Sequence, residues 1–347
     1  MHKKGDKYGT HRVLEPKDVL PQMALKLDND FSEIYDNEIL FDVSTLNIDA
    51  ASFTDIKERA GNDPQKIARI MMKIVEEHGK HQNPRTGSGG VFIGSVSRIG
   101  SKLNGKIDLQ EKERIVSLVS LSLTPLRIDE ILNVHTERDQ VDIKGQAVLF
   151  ESSVWTKLPN DIPESLALAV LDVAGAPAQV NRLVNSGDTV AVVGAGGKSG
   201  ILCCHQAKER AGTKGRVIAV IHSEKRREDV DNAPFVDDVI VGEADKPVDL
   251  FRKVEGITSG SLCDVVISCV SRSNCEMGSI LITKERGKVY FFSMATNFTR
   301  AALGAEGVGK DVEMIIGNGY CHGHADLTLD ILRKSPYINT LYTERYC

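Results

Sequence analysis

Apolar and polar positions follow two different rhythms along this chain. Up to about residue 160 the apolar residues sit in extended runs broken by glycine or polar residues, the pattern of sheet strands. Glu38–Val43, Val91–Gly100, Arg114–Ser122, Ile128–Val134, Val141–Ile143 and Ala147–Phe150 read this way. One amphipathic helix interrupts them over Asp63–His78. There Ile67, Ile70, Met71, Ile74 and Val75 recur at helical spacing, and Asp63-Pro64 supplies a cap and a first-turn proline. A further helix is expected from Pro163 to about Ala174. Beyond it, short unbroken β-branched runs alternate with helical segments, as in a parallel sheet buried on both faces. The runs are Thr189–Val193, Arg216–Ile221, Val239–Val241, Asp264–Val270, Gly287–Ser293 and Val312–Ile316. The helices expected between and after them are Ile201–Ala211, one starting over Leu250–Val254, Cys275–Leu281 and Asp326–Arg333.

The stretch DTVAVVGAGGKSGILCC joins the first of these strands to its helix. Strand, glycine turn and helix form the unit that cradles a diphosphate, because the backbone can approach the ligand and the helix N-terminus offers unpaired N–H groups. Gly194 and Gly196 match the first two glycines of the dinucleotide fingerprint G-x-G-x-x-G. Ser199 stands at the third place and Gly200 follows one residue later. Gly197, Lys198, Ser199 and Gly200 complete the candidate loop. The alternative is a turn that only packs a helix on a sheet. A nucleotide-hydrolase loop is excluded, because Val192 stands where that motif needs glycine and Asp264 opens its strand rather than ending it.

Composition adds limits. The chain has 347 residues and a formal net charge of -5, with no basic patch suited to nucleic acid. No apolar run approaches the roughly 18 residues that span a membrane, and the N-terminus lacks a secretory apolar segment. Seven cysteines without a C-x-x-C pair suggest a reduced, cytoplasmic protein. His78 and His81 are three apart, but no third ligand lies nearby, so they read as exposed loop histidines rather than a zinc site.

Several strings together resemble the medium-chain dehydrogenase/reductase superfamily. Asn47-Ile-Asp49 is similar to the Asn and Asp after the first long strand in its zinc-lacking quinone-reductase branch. PRTGSGGVFIGSVSRIG is similar to the family's glycine-rich segment, and Trp155–Pro159 to its link into the domain-crossing helix. The resemblance implies an α/β fold with a β-rich, barrel-like catalytic domain and a doubly wound parallel Rossmann domain. It places 1–160 and 300–347 in the first and 161–299 in the second. Where the zinc enzymes carry Gly-His-Glu, this chain has Thr86-Gly87-Ser88, and Thr45 or Leu46 replaces their cysteine. No metal is therefore expected. LDVAGAPAQVNRLV and IIGNGYCHGHADLTLDILRKSP carry the likeness further, towards amine-oxidising dehydrogenases of amino-acid fermentation. That implies a small diamino acid substrate, NADP or NAD, and a homodimer or higher homo-oligomer. It also points to strand-end backbone around Cys269, Val270, Ser293, Met294 and Asn318 for the nicotinamide. A zinc-free quinone or enoyl reductase and a non-catalytic dinucleotide-binding protein are the competing readings.

Hydride removal from an amine-bearing carbon requires a neutral amine, hence a proton acceptor. Asp49, a lone acid in LNIDAASF, is the first candidate, against a role as helix cap. His81 is the second. Arg85 can clamp a carboxylate, and Glu76 or Glu77 offer a second acid, though all three also read as surface residues. On the dinucleotide, the second strand ends in Ile221 rather than the acid that usually binds a ribose hydroxyl. Ser223, Lys225 and Arg226 suit a 2′-phosphate, while Glu224 could read the hydroxyl. The fermentation likeness pulls towards NAD.

Overall fold

The first strands form because β-branched and aromatic residues alternate with small ones along a surface that must be buried on one side. The computed structural model describes residues 3–317 and 319–347. It divides into two units, Met1–Asp172 with Tyr346–Cys347, and Val173–Arg345.

The first unit opens with the short pair β1 (Val13–Glu15) and β2 (Lys26–Leu27). It continues with β3 (Glu38–Ile48), α1 (Ala50–Ala60), α2 (Pro64–His78), β4 (Gly90–Ile99), β5 (Arg114–Ser117), β6 (Leu126–His135), β7 (Gln140–Phe150), β8 (Trp155–Lys157) and α3 (Glu164–Leu171). Six strands pair in the order β6-β7-β3-β4-β5-β8, all antiparallel. Phe41, Leu46, Ile48, Phe92, Ile115 and Val141 from the sheet meet Phe53, Ile56, Ile67 and Met71 from α1 and α2 in one buried core. The N-terminal segment is tied down by a buried ion pair. Arg12 Nε and Nη2 each donate to Glu38 at 2.8 Å, and His11 bonds the same carboxylate. Burial pushes the Glu38 carboxyl up, but Arg12 and His11 outweigh it and hold it at about 2.

The second unit contains α4 (Gly175–Leu183), β9 (Thr189–Val193), α5 (Lys198–Ala211), β10 (Arg216–Ile221), α6 (Arg227–Asp231), β11 (Asp238–Val241), α7 (Pro247–Ile257), β12 (Cys263–Ser268), α8 (Glu276–Leu281), β13 (Thr283–Phe291), α9 (Phe298–Gly307), β14 (Glu313–Ile316), α10 (His324–Lys334) and α11 (Pro336–Tyr346). Its six strands run in the order β11-β10-β9-β12-β13-β14, all parallel. The order steps outward from β9 in both directions, which is the doubly wound arrangement.

Residues 300–345 group with the second unit rather than the first, which corrects the division expected above. Met314 and Ile315 of β14 pair with Val289 and Tyr290 of β13. Thr328 of α10 donates to the Ala174 carbonyl. The tail completes the parallel sheet because β14 is its sixth strand, and only Tyr346 and Cys347 fall with the first unit. The boundary also moves from 160 to 172, because α3 belongs with the antiparallel sheet. Gln140 of β7 donates to the Ser165 carbonyl at 2.9 Å. Among the described residues no helix is long and apolar enough to cross a membrane.

Candidate functional site

In the second unit, β9 lies between β10 and β12, where the winding direction reverses. The chain leaves β9 at Gly194 with φ 87°, a conformation that glycine reaches without strain. A Cβ there would come within 3.2 Å of Val270 Cγ2 and of the Cys269 carbonyl carbon. At 196, a Cβ would lie 2.9 Å from Arg226 Cβ. The Gly197 N–H donates to the Gly194 carbonyl at 3.1 Å, closing the turn. Gly200 has the least room, since a Cβ would sit 2.2 Å from the Gly194 oxygen. The third glycine of this fingerprint is therefore Gly200, and Ser199 is a first-turn helix residue. No side chain caps α5. First-turn amides such as those of Ser199 and Gly200 have no acceptor within a helix, and the helix dipole adds positive potential there. A loop this tight, ahead of an uncapped helix, fits the diphosphate of a dinucleotide.

Beyond β10, Ser223 is extended and leads into a 3-10 turn over Glu224–Arg226. The basic run carries its own counter-charges. Arg226 donates to Asp229 at 3.1 Å, and Arg227 lies 3.3 Å from Glu224 and 3.0 Å from Asp231. Lys225 is exposed.

Cys269 and Val270 directly follow β12, Ser293 and Met294 follow β13, and Gly317 follows β14. These three strand ends are neighbours in the sheet. The Cys269 N–H reaches the Val193 carbonyl and the Gly317 N–H reaches the Phe291 carbonyl, both at 2.8 Å. Asn318 lies outside the described residues. The Cys269 sulfur is 3.9 Å from that of Cys203, whose thiol is pushed well up by burial.

The first unit holds the other candidates. β3 runs on to Ile48, which places Asn47 and Asp49 at its end. Asp49 is the N-cap of α1, and one carboxylate oxygen accepts the Ser52 N–H at 3.0 Å. Its other oxygen, Oδ2, is buried with no hydrogen-bond partner among the described residues. His81 is fully buried, and neither ring nitrogen has a partner among the described residues. Burial pulls His81 down to about 4, while the Asp49 charge pulls the other way. His81 is thus a neutral imidazole at neutral pH, close enough to Asp49 to feel it. This overturns its reading as an exposed loop residue. The chain folds back over it, so that a Cβ at Gly89 would lie 2.6 Å from the His81 carbonyl oxygen. Asn47 accepts from Gln140 at 3.3 Å, and its own Nδ2 is buried and without a partner among the described residues.

Thr86 and Ser88, from the segment that stands where the zinc enzymes carry Gly-His-Glu, form a triangle of hydroxyls with Ser52. Ser52 Oγ lies 2.6 Å from Thr86 Oγ1 and 2.8 Å from Ser88 Oγ, and those two are 3.0 Å apart. The set is neutral and bonds within itself.

Arg85 is outside this cluster. Its Nη1 donates to Asp55 at 2.7 Å, and its side chain is 67% exposed. Asn83 and Arg59 reach the same carboxylate. Glu76 and Glu77 lie at the end of α2 beside a surface hollow of about 700 Å³ shared with Arg69, Met72 and Ile131. Among the described residues no contact joins them to Asp49. Sequence reasoning passed over Arg345 of α11, which donates to the Gly196 carbonyl at 3.2 Å and to Asp229 at 2.5 Å. Nothing in the polar run PYINTLYTERY signals that role.

An antiparallel, β-rich unit followed by a doubly wound sheet with a glycine loop on its central strand defines the medium-chain dehydrogenase/reductase fold. Solved structures agree. A mycobacterial protein complexed with NADPH superposes with a TM-score of 0.57 at 16% identity, covering 89% of this chain and 84% of that one. An alcohol dehydrogenase from a Thermus species gives 0.54 at 19% identity, covering 87% and 83%. The L-erythro-3,5-diaminohexanoate dehydrogenase N-terminal domain family matches residues 11–159. Two enzymes named L-erythro-3,5-diaminohexanoate dehydrogenase align along the whole chain. That from Acetoanaerobium sticklandii is 55% identical over 343 residues, and that from Fusobacterium nucleatum is 53% identical over 344, each alignment covering 99% of both chains. The chain belongs to the L-erythro-3,5-diaminohexanoate dehydrogenase family.

Proposed function

We propose that this protein oxidatively deaminates (3S,5S)-3,5-diaminohexanoate to 5-amino-3-oxohexanoate and ammonia, with reduction of NAD or NADP, as a step of lysine fermentation. The observation that carries this is the 55% identity to a relative of that name over 99% of both chains. In the second unit, Gly194, Gly196, Gly197, Lys198, Ser199 and Gly200 would hold the diphosphate, and the backbone at Cys269, Val270, Ser293 and Met294 would border the nicotinamide. A dinucleotide bound there would supply the acceptor for hydride from C3 of the substrate.

Proton chemistry is the proposed part of Asp49 and His81. Asp49 Oδ2 has no partner and suits an incoming ammonium. Pairing the two satisfies a buried acceptor that otherwise has none. Asp49 takes one proton from the C3 ammonium paired with it, leaving the amine lone pair free to drive hydride out, with the His81 imidazole as the alternative acceptor. The resulting C3 iminium adds water, and the carbinolamine loses ammonia to give the ketone. The guanidinium edge of Arg85 not taken by Asp55 is the proposed partner of the substrate carboxylate.

For the dinucleotide, Ser223, Lys225 and Arg226 support a 2′-phosphate. The engagement of Arg226 by Asp229 weakens that support and favours use of NAD as well. A substrate panel tests the function. Reduction of NAD or NADP is expected with the diamino acid, and no oxidation of NADPH is expected with quinones or enoyl thioesters. Turnover of the latter alone would favour the quinone or enoyl reductase reading. Tight dinucleotide binding with no turnover of any kind would favour a non-catalytic protein.

A further inference from the structure

The last helix of the second unit contributes to the dinucleotide loop in a way the family motifs do not contain. Ile338, Leu341, Tyr342 and Arg345 recur on one face of α11, and Arg345 is the cation of that face. Its side chain is only 9% exposed. One guanidinium nitrogen donates to the Gly196 carbonyl at 3.2 Å, and another to Asp229 Oδ2 at 2.5 Å. Arg226 donates to the same Asp229 oxygen at 3.1 Å, and Arg226 is also the residue against which Gly196 packs. Tyr337 of α11 donates to the Asp229 carbonyl at 2.6 Å, and Tyr342 donates to the Lys198 carbonyl at the start of α5. An aromatic series of His205, Phe235 and Tyr337, with centroids 5.1 and 5.8 Å apart, joins α5 to α11.

The charge arrangement matters because the ligand is anionic. Asp229 is one guanidinium away from the loop, since Arg345 bonds both it and the Gly196 carbonyl. It is linked to Gly196 through one guanidinium and packs beside it through the other. Left alone, it would oppose a diphosphate at the loop and would leave Gly196 unbraced. With both arginines in place, the three side chains sum to a single positive charge.

We propose that Arg345 is a positioning residue for the dinucleotide, bracing Gly196 through its carbonyl while neutralising Asp229 beside the loop. This rests on the reading of that loop as a dinucleotide site. The same geometry assigns Asp229 a matching part, since it holds both guanidinia under the loop and limits how far Arg226 is available to a 2′-phosphate.

Fluorescence titration of the full-length protein with NADH and with NADPH tests the assignment. Arg345→Ala is expected to weaken both by about tenfold, the low end of what one hydrogen bond to a charged group contributes. In turnover the loss should appear in the KM for the dinucleotide rather than in kcat. Arg345→Lys, which keeps the charge, should recover part of the affinity. Asp229→Asn combined with Arg345→Ala should also recover part of it, since the carboxylate to be neutralised is gone. A role limited to packing α11 would not give that second-site rescue. Unchanged affinity in Arg345→Ala, or a double variant no better than the single one, overturns the proposal. Gly196→Val separates the two levels. If it loses binding while Arg345→Ala keeps it, only the role of Arg345 falls. If Gly196→Val binds normally, the dinucleotide reading of the loop itself is what fails.

Discussion

Asp49 divides its two oxygens between two tasks. One closes the first turn of α1 on the Ser52 N–H, and the other is buried without a partner. Asparagine caps a helix about as well as aspartate but carries no charge. Asp49→Asn is therefore expected to leave the melting temperature nearly unchanged while lowering kcat by about a hundredfold to ten-thousandfold, the usual contribution of a positioned acid or base. Calorimetry and steady-state kinetics on the same preparation check it. A large fall in melting temperature with kcat intact would reduce Asp49 to a cap. At the other end of β3, Glu38 gives a stability prediction. Its folded pKa of about 2 lies below the ordinary 4.5, so the unfolded chain binds its proton first. The stabilisation is complete above about pH 4.5 and is lost as pH falls towards 2, by up to about 3 kcal/mol. Urea unfolding across that window should show the decline, and Glu38→Gln should flatten it.

Glycines decide much at the scale of elements. Gly200 and Gly197 look alike in the sequence, yet a Cβ at 200 meets the Gly194 oxygen at 2.2 Å, whereas at 197 it meets the same atom at 3.4 Å. Gly200→Ala should force α5 away from β9 and abolish dinucleotide binding. Gly197→Ala should be tolerated, since its φ of -82° suits any residue. Equal behaviour of the two in a NADH titration would contradict this account of the loop. The same physics explains what was legible in the sequence. Unbroken β-branched runs gave the parallel strands to within a few residues, because burial on both faces leaves little else to choose. β7 read as two strands because Lys144-Gly145 interrupts its pattern. In fact the glycine sits inside a continuous strand, where a Cβ would lie 2.3 Å from the Arg127 carbonyl oxygen of β6. α4 lies beyond the helix expected to end near Ala174, and α11 buries only Ile338, Leu341 and Tyr342 in an otherwise polar run. Burial of His81 was hidden for a related reason, since HGKHQNPR looks solvated until Gly89 brings the chain back over it.

The whole molecule extends these readings in one direction, assembly. β14 ends the order of the parallel sheet, and Phe298, Leu303, Val308 and Ile316, in or beside α9 and β14, are all more than half exposed. Exposed apolar residues in and beside the last strand of a sheet favour association with a second copy. Light scattering is expected to give the mass of at least two chains, and Ile316→Lys should shift it towards one. A monomer at all concentrations would contradict the expected homo-oligomer.

Chemistry is the harder test of the molecule as a whole. The most direct measurement uses the L-erythro diamino acid deuterated at C3. The reduced dinucleotide formed in one turnover should carry the deuterium, with one ammonia released for each dinucleotide reduced. Deuterium retained in the product, or label transferred only from substrate deuterated at C5, would contradict the account.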